Sequence, residues 1–505
     1  MRLFHALLLL GLLGAACGGG TPPGERALIW ARSADSKTLD PAEAEWGEDL
    51  KVIAALYEPL VSFDGDGKIG PRLATKWTFS EDGLAATFEL RSGVTFHDGS
   101  PFDAEAVAFT FDRLLDPAQS QRPYAANFKD LQKVEAVGPS TVVFRLRRPT
   151  RLLLHALALP AGSIVSPAAA RKHGARFGQN PSGTGPFRLG RWDRDVRLEL
   201  ERFDAYWGPK APVARLLVLP VPSSATALEK LRKGEVHVAD HLSPADAKGL
   251  AGDSAARALI APSVNICCLG FNMTKPPYND VHFRRAVSLA IDRKTLIAFA
   301  YEGLAESAAA VVPPSLRRDL DPIPDPEFDL ARAREELARA KLPSREVELI
   351  HVTIPRPYMP SPSRVAEYLR DQLRKIGLEL KLTAYEKSAY EGKTRDPEHP
   401  MFLLGWKGDV PDPDNYLFPL LHGDNAGNQN GSFFRDPAFD RAVTEAQTER
   451  APARRRALYA EAFRRYREEL PTVPLVHAHA IFGLGKGVEY APHPFEVRFV
   501  AAAFR

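Results

Sequence analysis

One loop concentrates more chemically capable side chains than any other stretch of this chain. Residues 405–416 read Gly-Trp-Lys-Gly-Asp-Val-Pro-Asp-Pro-Asp-Asn-Tyr. The two prolines in this loop disfavour both a helix and a regular strand ladder. A rigid loop that is both acidic and aromatic is suited to binding a cationic group in a partly dehydrated site. The carboxylates and aromatic residues concerned are Asp409, Asp412, Asp414, Trp406 and Tyr416.

Two other interpretations of this loop stay open at the level of sequence. The loop is compatible with a solvated acidic turn that binds nothing. Asp409 and Asp412 are also compatible with the carboxylate pair of an exported glycoside hydrolase. However, the chain has no HExxH, CxxC or GxSxG motif, and no serine or cysteine in a recognisable nucleophile setting. We therefore predict no catalytic residue and no enzymatic activity.

A single arginine follows an apolar run and stands between two prolines. The segment reads His-Val-Thr-Ile-Pro-Arg-Pro-Tyr and ends with Arg356 and Tyr358 as its last polar side chains. Because proline restricts the backbone on both sides, the guanidinium of Arg356 is predicted to have a fixed direction. A fixed guanidinium is what two parallel hydrogen bonds to a carboxylate require. An ordinary surface arginine is the alternative.

The N-terminus has the pattern of an export signal. A positive charge precedes an apolar run at 3–13, which is too short for a permanent membrane span, and small residues precede Cys17. The pattern resembles a bacterial lipoprotein signal that covers residues 1–17 and makes Cys17 the lipid-bearing terminus. Gly14 replaces the usual leucine, so plain secretory cleavage stays open. Residues 18–26, rich in glycine and proline, are predicted to be a flexible tether.

Composition limits the remaining possibilities. The chain of 505 residues is too long for one hydrophobic core, so at least two lobes are expected. A net charge of +3 argues against nucleic acid as a partner. Beyond Cys17, only the adjacent Cys267 and Cys268 remain, in a strand-like run at 264–271. Neighbouring strand residues face opposite sides, so we predict two buried free cysteines rather than a disulfide.

Strand and helix patterns alternate along the chain, which predicts an α/β fold. Helical spacing predicts a helix at 102–115, capped by Asp103, and another at 281–300. Residues 65–70 satisfy GxGxxG on paper, but no helix follows, so we predict a hairpin turn. His237 and His241 flank the end of a predicted strand, where a spacing of four does not favour a metal. We predict neither a metal site nor a cofactor.

Several stretches, in a fixed order from about residue 27 to residue 475, together resemble one family. This family is the family 5 extracytoplasmic solute-binding proteins of ABC importers, which includes oligopeptide-, dipeptide- and nickel-binding proteins. Each stretch is modest alone, and their order and spacing carry the resemblance. Among them are Tyr-Glu-Pro-Leu-Val at 57–61, Phe-His-Asp-Gly at 96–99, Thr-Gly-Pro-Phe at 184–187, Arg-Arg-Ala-Val at 284–287, Ala-Ile-Asp-Arg at 290–293 and the loop 405–416.

The resemblance implies a bilobal periplasmic-binding-protein fold of the α/β class, class II-like, with one small additional domain. The ligand would be enclosed between domains I and III by hinge closure, with hinges near Ile266 and His479. The implied ranges are 27–57, 186–266 and 478–505 for domain I, 58–185 for the small domain II, and 267–477 for domain III.

The resemblance also implies ligand contacts. In dipeptide-binding members, an aspartate in the loop after the Gly-Trp strand binds the peptide amino terminus, and Asp409 matches it. The Arg-Pro-Tyr segment matches the site for the peptide carboxylate, which makes Arg356 its expected partner. The other expected ligand-binding residues are Gly405, Trp406, Tyr416, Asp412, Tyr358, Trp46 and Gly47.

The expected function is that of a monomeric, non-enzymatic receptor that delivers short peptides to an ABC permease. It would lie in the periplasm or at the outer face of the cytoplasmic membrane, held by a lipid on Cys17. The specificity of the family also covers nickel chelates, oligosaccharides, opines and haem, and these ligands stay open as alternatives.

Overall fold

The structure is a computed structural model that describes residues 26–44, 47–118, 122–318, 320 and 322–505. The predicted signal peptide, the lipidation site Cys17, the tether up to residue 25 and the expected contact Trp46 lie outside the described residues. In the described part, no helix combines the length and the apolar character that a membrane span requires.

The strands of the described chain are short, with at most seven residues each. The described strands are β1 (Ala27–Arg32), β2 (Val61–Phe63), β3 (Ile69–Pro71), β4 (Ala74–Phe79), β5 (Ala85–Leu90), β6 (Leu131–Ala136), β7 (Thr141–Leu146), β8 (Phe187–Asp193), β9 (Arg197–Arg202), β10 (Arg215–Pro220), β11 (Val238–Ala239), β12 (Ala256–Ala261), β13 (Asn265–Gly270), β14 (Ala305–Ser307), β15 (Glu346–Val352), β16 (Glu379–Tyr385), β17 (Met401–Lys407), β18 (Thr472–Ala478), β19 (Ala480–Gly485), β20 (Val488–Tyr490) and β21 (Ala502–Phe504).

Helices connect and cover these strands. The described α-helices are α1 (Gly47–Leu56), α2 (Ala104–Leu114), α3 (Leu152–Ala158), α4 (Pro167–His173), α5 (Ser224–Arg232), α6 (Pro244–Lys248), α7 (Val281–Leu289), α8 (Arg293–Tyr301), α9 (Leu330–Arg339), α10 (Pro362–Arg374), α11 (Lys387–Arg395), α12 (Asp414–Leu421), α13 (Pro437–Thr448) and α14 (Pro452–Glu469).

The first large sheet has seven strands in the order β12-β19-β11-β1-β10-β9-β8. β1 lies inside the sheet and runs parallel to β10 and β11, whereas the other neighbours are antiparallel. Leu28 and Trp30 of β1 are fully buried in one apolar cluster with Ile53 of α1. The same cluster contains Leu216 of β10 and Leu484 of β19, so distant stretches of the chain build one core.

The second large sheet has six strands in the order β14-β18-β13-β17-β15-β16. β15 is parallel to β16 and β17, and the other neighbours are antiparallel. β13 and β18 are buried along their whole length. A strand buried on both faces carries a continuous apolar run, which is why 264–271 looks strand-like in the sequence.

A third, smaller sheet is antiparallel, with the order β4-β5-β7-β6, and has its own apolar cluster between residues 42 and 164. β2 and β3 form a hairpin, as predicted for the glycine-rich turn at 65–70. Gly67 in this turn has φ +81°, a conformation that glycine adopts without strain.

Two other local predictions are tested directly. The helix predicted at 102–115 is confirmed as α2, and Asp103 caps it by accepting a hydrogen bond from the Ala106 N–H. The prediction of a single helix at 281–300 is wrong, because α7 ends at Leu289 and a separate helix, α8, begins at Arg293. Asp292 caps α8, and a capping residue has non-helical dihedral angles that interrupt an otherwise continuous apolar spacing.

Both cysteines of β13 are fully buried and free, as predicted. Cys267 packs on one face of the six-stranded sheet with Leu269. Cys268 packs on the opposite face with Ile266. Strand alternation therefore keeps the two thiols apart and gives each sulfur to a different core.

The chain crosses between the two large sheets at two neighbouring places. Residues 262–264 join β12 to β13, and residue 479 joins β18 to β19. The two crossings are tied together because the Asn265 amide donates to the Ala478 carbonyl oxygen at 2.8 Å and accepts from its N–H at 2.9 Å. His477 Nδ1 lies 2.6 Å from the carbonyl oxygen of Asn265.

Candidate functional site

The loop at 408–413 begins where β17 ends, beside one of these crossings. Lys407, the last residue of β17, lies opposite Asn265 of β13. Immediately after it, the Gly408 N–H donates to the Val264 carbonyl oxygen at 2.8 Å. Since Val264 is the last residue before β13, the loop is anchored to the segment that links the two large sheets.

Gly405 is the point at which a second segment meets β17. A Cβ atom at Gly405 would lie 2.1 Å from Cδ2 of Tyr358. Glycine therefore allows the tyrosine ring to lie directly against the strand backbone. The Tyr358 carbonyl oxygen accepts a hydrogen bond from the Tyr301 hydroxyl at 3.1 Å, which fixes the segment from behind.

Arg356 is connected to β17 by Tyr358, whose ring packs on Gly405. Its Nε–H donates to the Tyr358 hydroxyl at 3.2 Å, and a tight turn joins its backbone to Met359 through two hydrogen bonds. Arg356 is half-buried and forms no ion pair with a carboxylate of the described residues. Burial raises the pKa of Tyr358, and the Arg356 charge opposes that rise. The guanidinium is thus oriented but still free to bind an anion.

Asp409 is positioned by an asparagine that sequence reasoning missed. The Asp409 N–H and the Trp406 indole N–H both point to the Asn415 side-chain oxygen, at 3.3 and 3.4 Å. The Asp409 carboxylate is partly exposed and forms no ion pair with a described residue. Burial raises its pKa, against the effect of its own N–H, Asn415 and Lys407. Pairing with a cation would therefore stabilise the charged form of the Asp409 carboxylate.

The carboxylate of Asp412, in the same loop, already has partners within the protein. It is 4% exposed and forms an ion pair with Arg455 at 2.8 Å. It also accepts hydrogen bonds from the Tyr459 hydroxyl and the Asp414 N–H, both at 2.9 Å. Burial acts to raise the pKa of Asp412, but Arg455 and His155 bring it below the usual value. These partners favour a structural role, and they leave no free oxygen for a catalytic pair with Asp409.

Asp414 is the third carboxylate and has a different environment. It is buried and accepts a hydrogen bond from the Gln447 amide at 3.1 Å. Burial, together with the nearby charge of Asp412, raises the pKa of Asp414 to about 7. The sequence places these three carboxylates side by side, but the fold gives each a separate electrostatic role.

The two aromatic residues of the loop also differ. Tyr416 is fully buried, and its hydroxyl donates to the Val264 carbonyl oxygen at 2.7 Å. A Cβ atom at Gly408 would lie 2.2 Å from that hydroxyl oxygen. Trp406 is half-buried and packs against the same apolar cluster as Tyr416. Of the two, Trp406 presents the more accessible ring beside Asp409.

Lys51, Glu48 and Asp240 form a charged wall on the lobe of the seven-stranded sheet. Gly47, an expected ligand contact, is the exposed first residue of α1. One turn further, the Lys51 ammonium pairs with Glu48 at 2.8 Å and with Asp240 at 2.9 Å. The Trp30 indole N–H also donates to Asp240, at 2.8 Å. Sequence reasoning missed this wall, because its charged residues come from distant parts of the chain.

No metal site accompanies these residues. Within the described ranges, no group of three or more His, Cys, Asp or Glu side chains could hold a metal ion. His237 Nδ1 accepts a hydrogen bond from the Ile29 N–H, and His241 Nε2 lies 2.7 Å from the Val221 carbonyl oxygen. A surface cavity of about 410 Å³ beside Arg293 contains none of the expected ligand contacts.

Comparison with known proteins identifies the family. The sequence profile described as "Bacterial extracellular solute-binding proteins, family 5 Middle" matches residues 68–428. The di/tripeptide-binding protein 1 of Pseudomonas aeruginosa is 30% identical over 94% of this chain and 93% of that protein. The haem-binding protein A of Haemophilus influenzae is 32% identical over 87% of this chain and 85% of that protein.

Solved structures agree with this relationship. A periplasmic binding protein associated with an ABC transporter of Helicobacter pylori, solved with the peptide STSA, has a TM-score of 0.82 and 29% identity. The match covers 95% of this chain and 98% of that chain. The predicted α/β fold of a periplasmic binding protein is confirmed. This chain belongs to the bacterial extracellular solute-binding proteins of family 5.

Proposed function

We propose that this protein is a receptor for short peptides, which binds the peptide amino group at Asp409 and delivers its cargo to an ABC permease. The observation that carries the proposal is the state of Asp409. It is a partly exposed carboxylate without an ion-pair partner among the described residues, and an indole ring lies beside it. A charge-assisted hydrogen bond to a desolvated carboxylate is worth about 1.5–3 kcal/mol.

Arg356 would bind the carboxylate at the other end of the peptide. Its guanidinium is oriented by Tyr358 and has no acidic partner in the described chain. Both groups are connected to Gly405, because Tyr358, which orients Arg356, packs on it and Asp409 follows it by four residues in the chain. Two opposite charges at fixed positions favour a zwitterion of limited length.

The lobes that would close on the ligand are the two large sheets with their helices. We propose the division into domain I (27–57, 186–266 and 478–505), domain II (58–185) and domain III (267–477). It is supported by the two crossings between sheets at 262–264 and 479. Closure about two adjacent crossings is a hinge motion of the kind that encloses small solutes.

Membership of its family makes the protein an exported, periplasmic solute-binding receptor. We further propose that Cys17 carries the lipid that holds it at the membrane, and that the mature receptor is a monomer. The support is the apolar run and the small residues that precede Cys17. Cys17→Ala should release the protein from membrane fractions into the soluble fraction, and an unchanged membrane fraction would contradict the anchor.

Calorimetry and thermal unfolding test the peptide proposal. Purified mature protein should bind Ala-Ala and Ala-Ala-Ala, with no hydrolysis detected by mass spectrometry. A peptide at a hundred times its dissociation constant should stabilise the protein by about 2.7 kcal/mol. Haem, a nickel–histidine chelate and an oligosaccharide serve as competing ligands. Binding of one of these without peptide binding would contradict the proposal.

A further inference from the structure

One charged side chain beside the loop 408–413 belongs to neither of the proposed contacts with the peptide ends. Lys407 is the last residue of β17, two residues after Gly405 and two before Asp409. Its side chain is exposed and forms no hydrogen bond or ion pair with any described residue. Many exposed lysines only increase solubility. Whether Lys407 also binds a ligand depends on the groups around it.

Strand geometry directs Lys407 towards the site. Side chains alternate between the two faces of a strand, so Lys407 lies on the same face as Gly405. That face of Gly405 is covered by the Tyr358 ring, which orients Arg356. Trp406, on the opposite face, packs instead into the apolar cluster. Lys407 therefore shares one side of the sheet with Tyr358, the residue that orients Arg356.

Charges from both lobes act on Lys407. Although solvent reaches its side chain, the surrounding protein lowers the pKa of its ammonium, and the positive charge of Lys51 lowers it further. Asp409, Asp240 and Glu48 oppose this effect. Lys407 also lies opposite Asn265, the first residue after the crossing at 262–264, so its exposed side chain stands where the chain passes between the two large sheets.

Lys51 and Lys407, the two lysines whose charges repel each other, differ in their partners. Lys51 is already neutralised, because it pairs with both Glu48 and Asp240. Lys407 has no such partner, and the largest charge effect on it is repulsion by Lys51. An anionic group placed between the two lysines would offset this repulsion and would pair with the free ammonium of Lys407.

We propose that Lys407 binds an acidic side chain near the amino end of the peptide, so that the receptor prefers peptides beginning with Glu or Asp. The inference rests on the proposed peptide-binding function. The amino end is indicated because Lys407 is close to Asp409 in the chain and interacts with its charge. The carboxylate at the other peptide end has Arg356 as its own partner.

Calorimetry with Glu-Ala and its uncharged isostere Gln-Ala tests this preference. The wild-type protein should bind Glu-Ala more tightly than Gln-Ala, and equal affinities would contradict the preference. Lys407→Met keeps the apolar stem and removes the charge, so it should weaken Glu-Ala about tenfold or more, the scale of one charged hydrogen bond. Binding of Gln-Ala should change less than twofold. Lys407→Arg should retain the preference for Glu-Ala.

The other outcomes overturn the inference. An equal loss for both peptides would mean that Lys407 acts on closure of the lobes, and no loss for either would mean that it does not contact the ligand. If the wild-type protein binds neither peptide, the proposed function itself fails and this inference fails with it. Lys172→Met, in the exposed surface of α4, is the matched control and should leave both affinities unchanged.

Discussion

The residues of the site differ mainly in whether their charges are already neutralised. Asp412 has Arg455, and Lys51 has Glu48 and Asp240. Asp409, Arg356 and Lys407 form no ion pair with a described residue. Because an unpaired, partly desolvated charge gains most from a ligand of opposite charge, these three residues should control affinity.

Asp409→Asn should weaken peptides with a free amine by about 10- to 150-fold, because it removes one charged hydrogen bond of about 1.5–3 kcal/mol. N-acetylated peptides should lose little, since they present no ammonium group. Calorimetry with Ala-Ala and N-acetyl-Ala-Ala measures both. Equal loss for the two peptides would reject the amine role of Asp409. Asp424→Asn, whose side chain is 82% exposed, is the control variant.

Arg356→Ala should weaken peptides with a free C-terminal carboxylate and should spare peptide amides. The expected loss is again about 10- to 150-fold, because a charge-assisted pair is removed. Competition binding with Ala-Ala and Ala-Ala-amide measures the two affinities in the same variant. Unchanged binding of the free acid would remove Arg356 from the site.

At the scale of elements, the loop after β17 is held by its neighbours rather than by its own sequence. Arg455 and Tyr459 of α14 bind Asp412, and Gln447 of α13 binds Asp414. Pro411 also meets Gly67 of the β2–β3 hairpin, where a Cβ atom would lie 2.6 Å from the Cβ of Pro411. The loop is therefore positioned by helices and by a hairpin from other parts of the chain.

Asp414→Asn tests the electrostatics of this support. The folded state raises the pKa of Asp414 from 3.8 to about 7, so folded protein binds more protons than unfolded protein in that window. Stability from this group is complete below pH 4 and is lost as pH rises to about 7, at a cost of about 4 kcal/mol. Asp414→Asn should stabilise the protein increasingly from pH 4 to pH 8.

Urea unfolding of wild type and Asp414→Asn at several pH values measures this difference. The gain in unfolding free energy should be small near pH 4 and largest above pH 7. A gain that does not vary with pH would show that the carboxyl is not perturbed in the folded state. Asp424→Asn, whose side chain is exposed, should show no such pH-dependent gain.

At the scale of the whole molecule, two lobes are joined by adjacent crossings. Asn265 and Ala478 tie the crossings together, and the Gly408 N–H at the start of the loop 408–413 donates to the Val264 carbonyl oxygen within one of them. The segment that follows the small sheet makes a separate contact, because Arg151, just before α3, donates to the carbonyl oxygens of Glu449 and Arg450 between α13 and α14. Movement at the crossings would therefore change the distance between the charged wall on the seven-stranded lobe and the loop 408–413 on the six-stranded lobe.

Small-angle X-ray scattering should detect this movement. The radius of gyration of the mature protein should decrease when saturating Ala-Ala is added, because the proposed closure about the two crossings would bring the lobes together. Asp409→Asn at the same peptide concentration should show a smaller decrease. Identical scattering with and without saturating peptide would contradict closure of the lobes.

Several features were determined by the sequence alone. The alternation of elements, the cap at Asp103, the hairpin at 65–70 and the free Cys267 and Cys268 depend on local spacing. Local spacing is visible in one dimension, because it reflects backbone periodicity and the chemistry of neighbouring residues. The order of short motifs likewise sufficed to predict the family.

Other features were decided only by the tertiary structure. Spacing alone could not separate the roles of Asp409, Asp412 and Asp414, because Arg455 and Gln447 come from helices that follow later in the chain. It also missed the charged wall and the free state of Lys407. A side chain's charge state and freedom depend on long-range partners and burial, and only the folded chain brings those partners together.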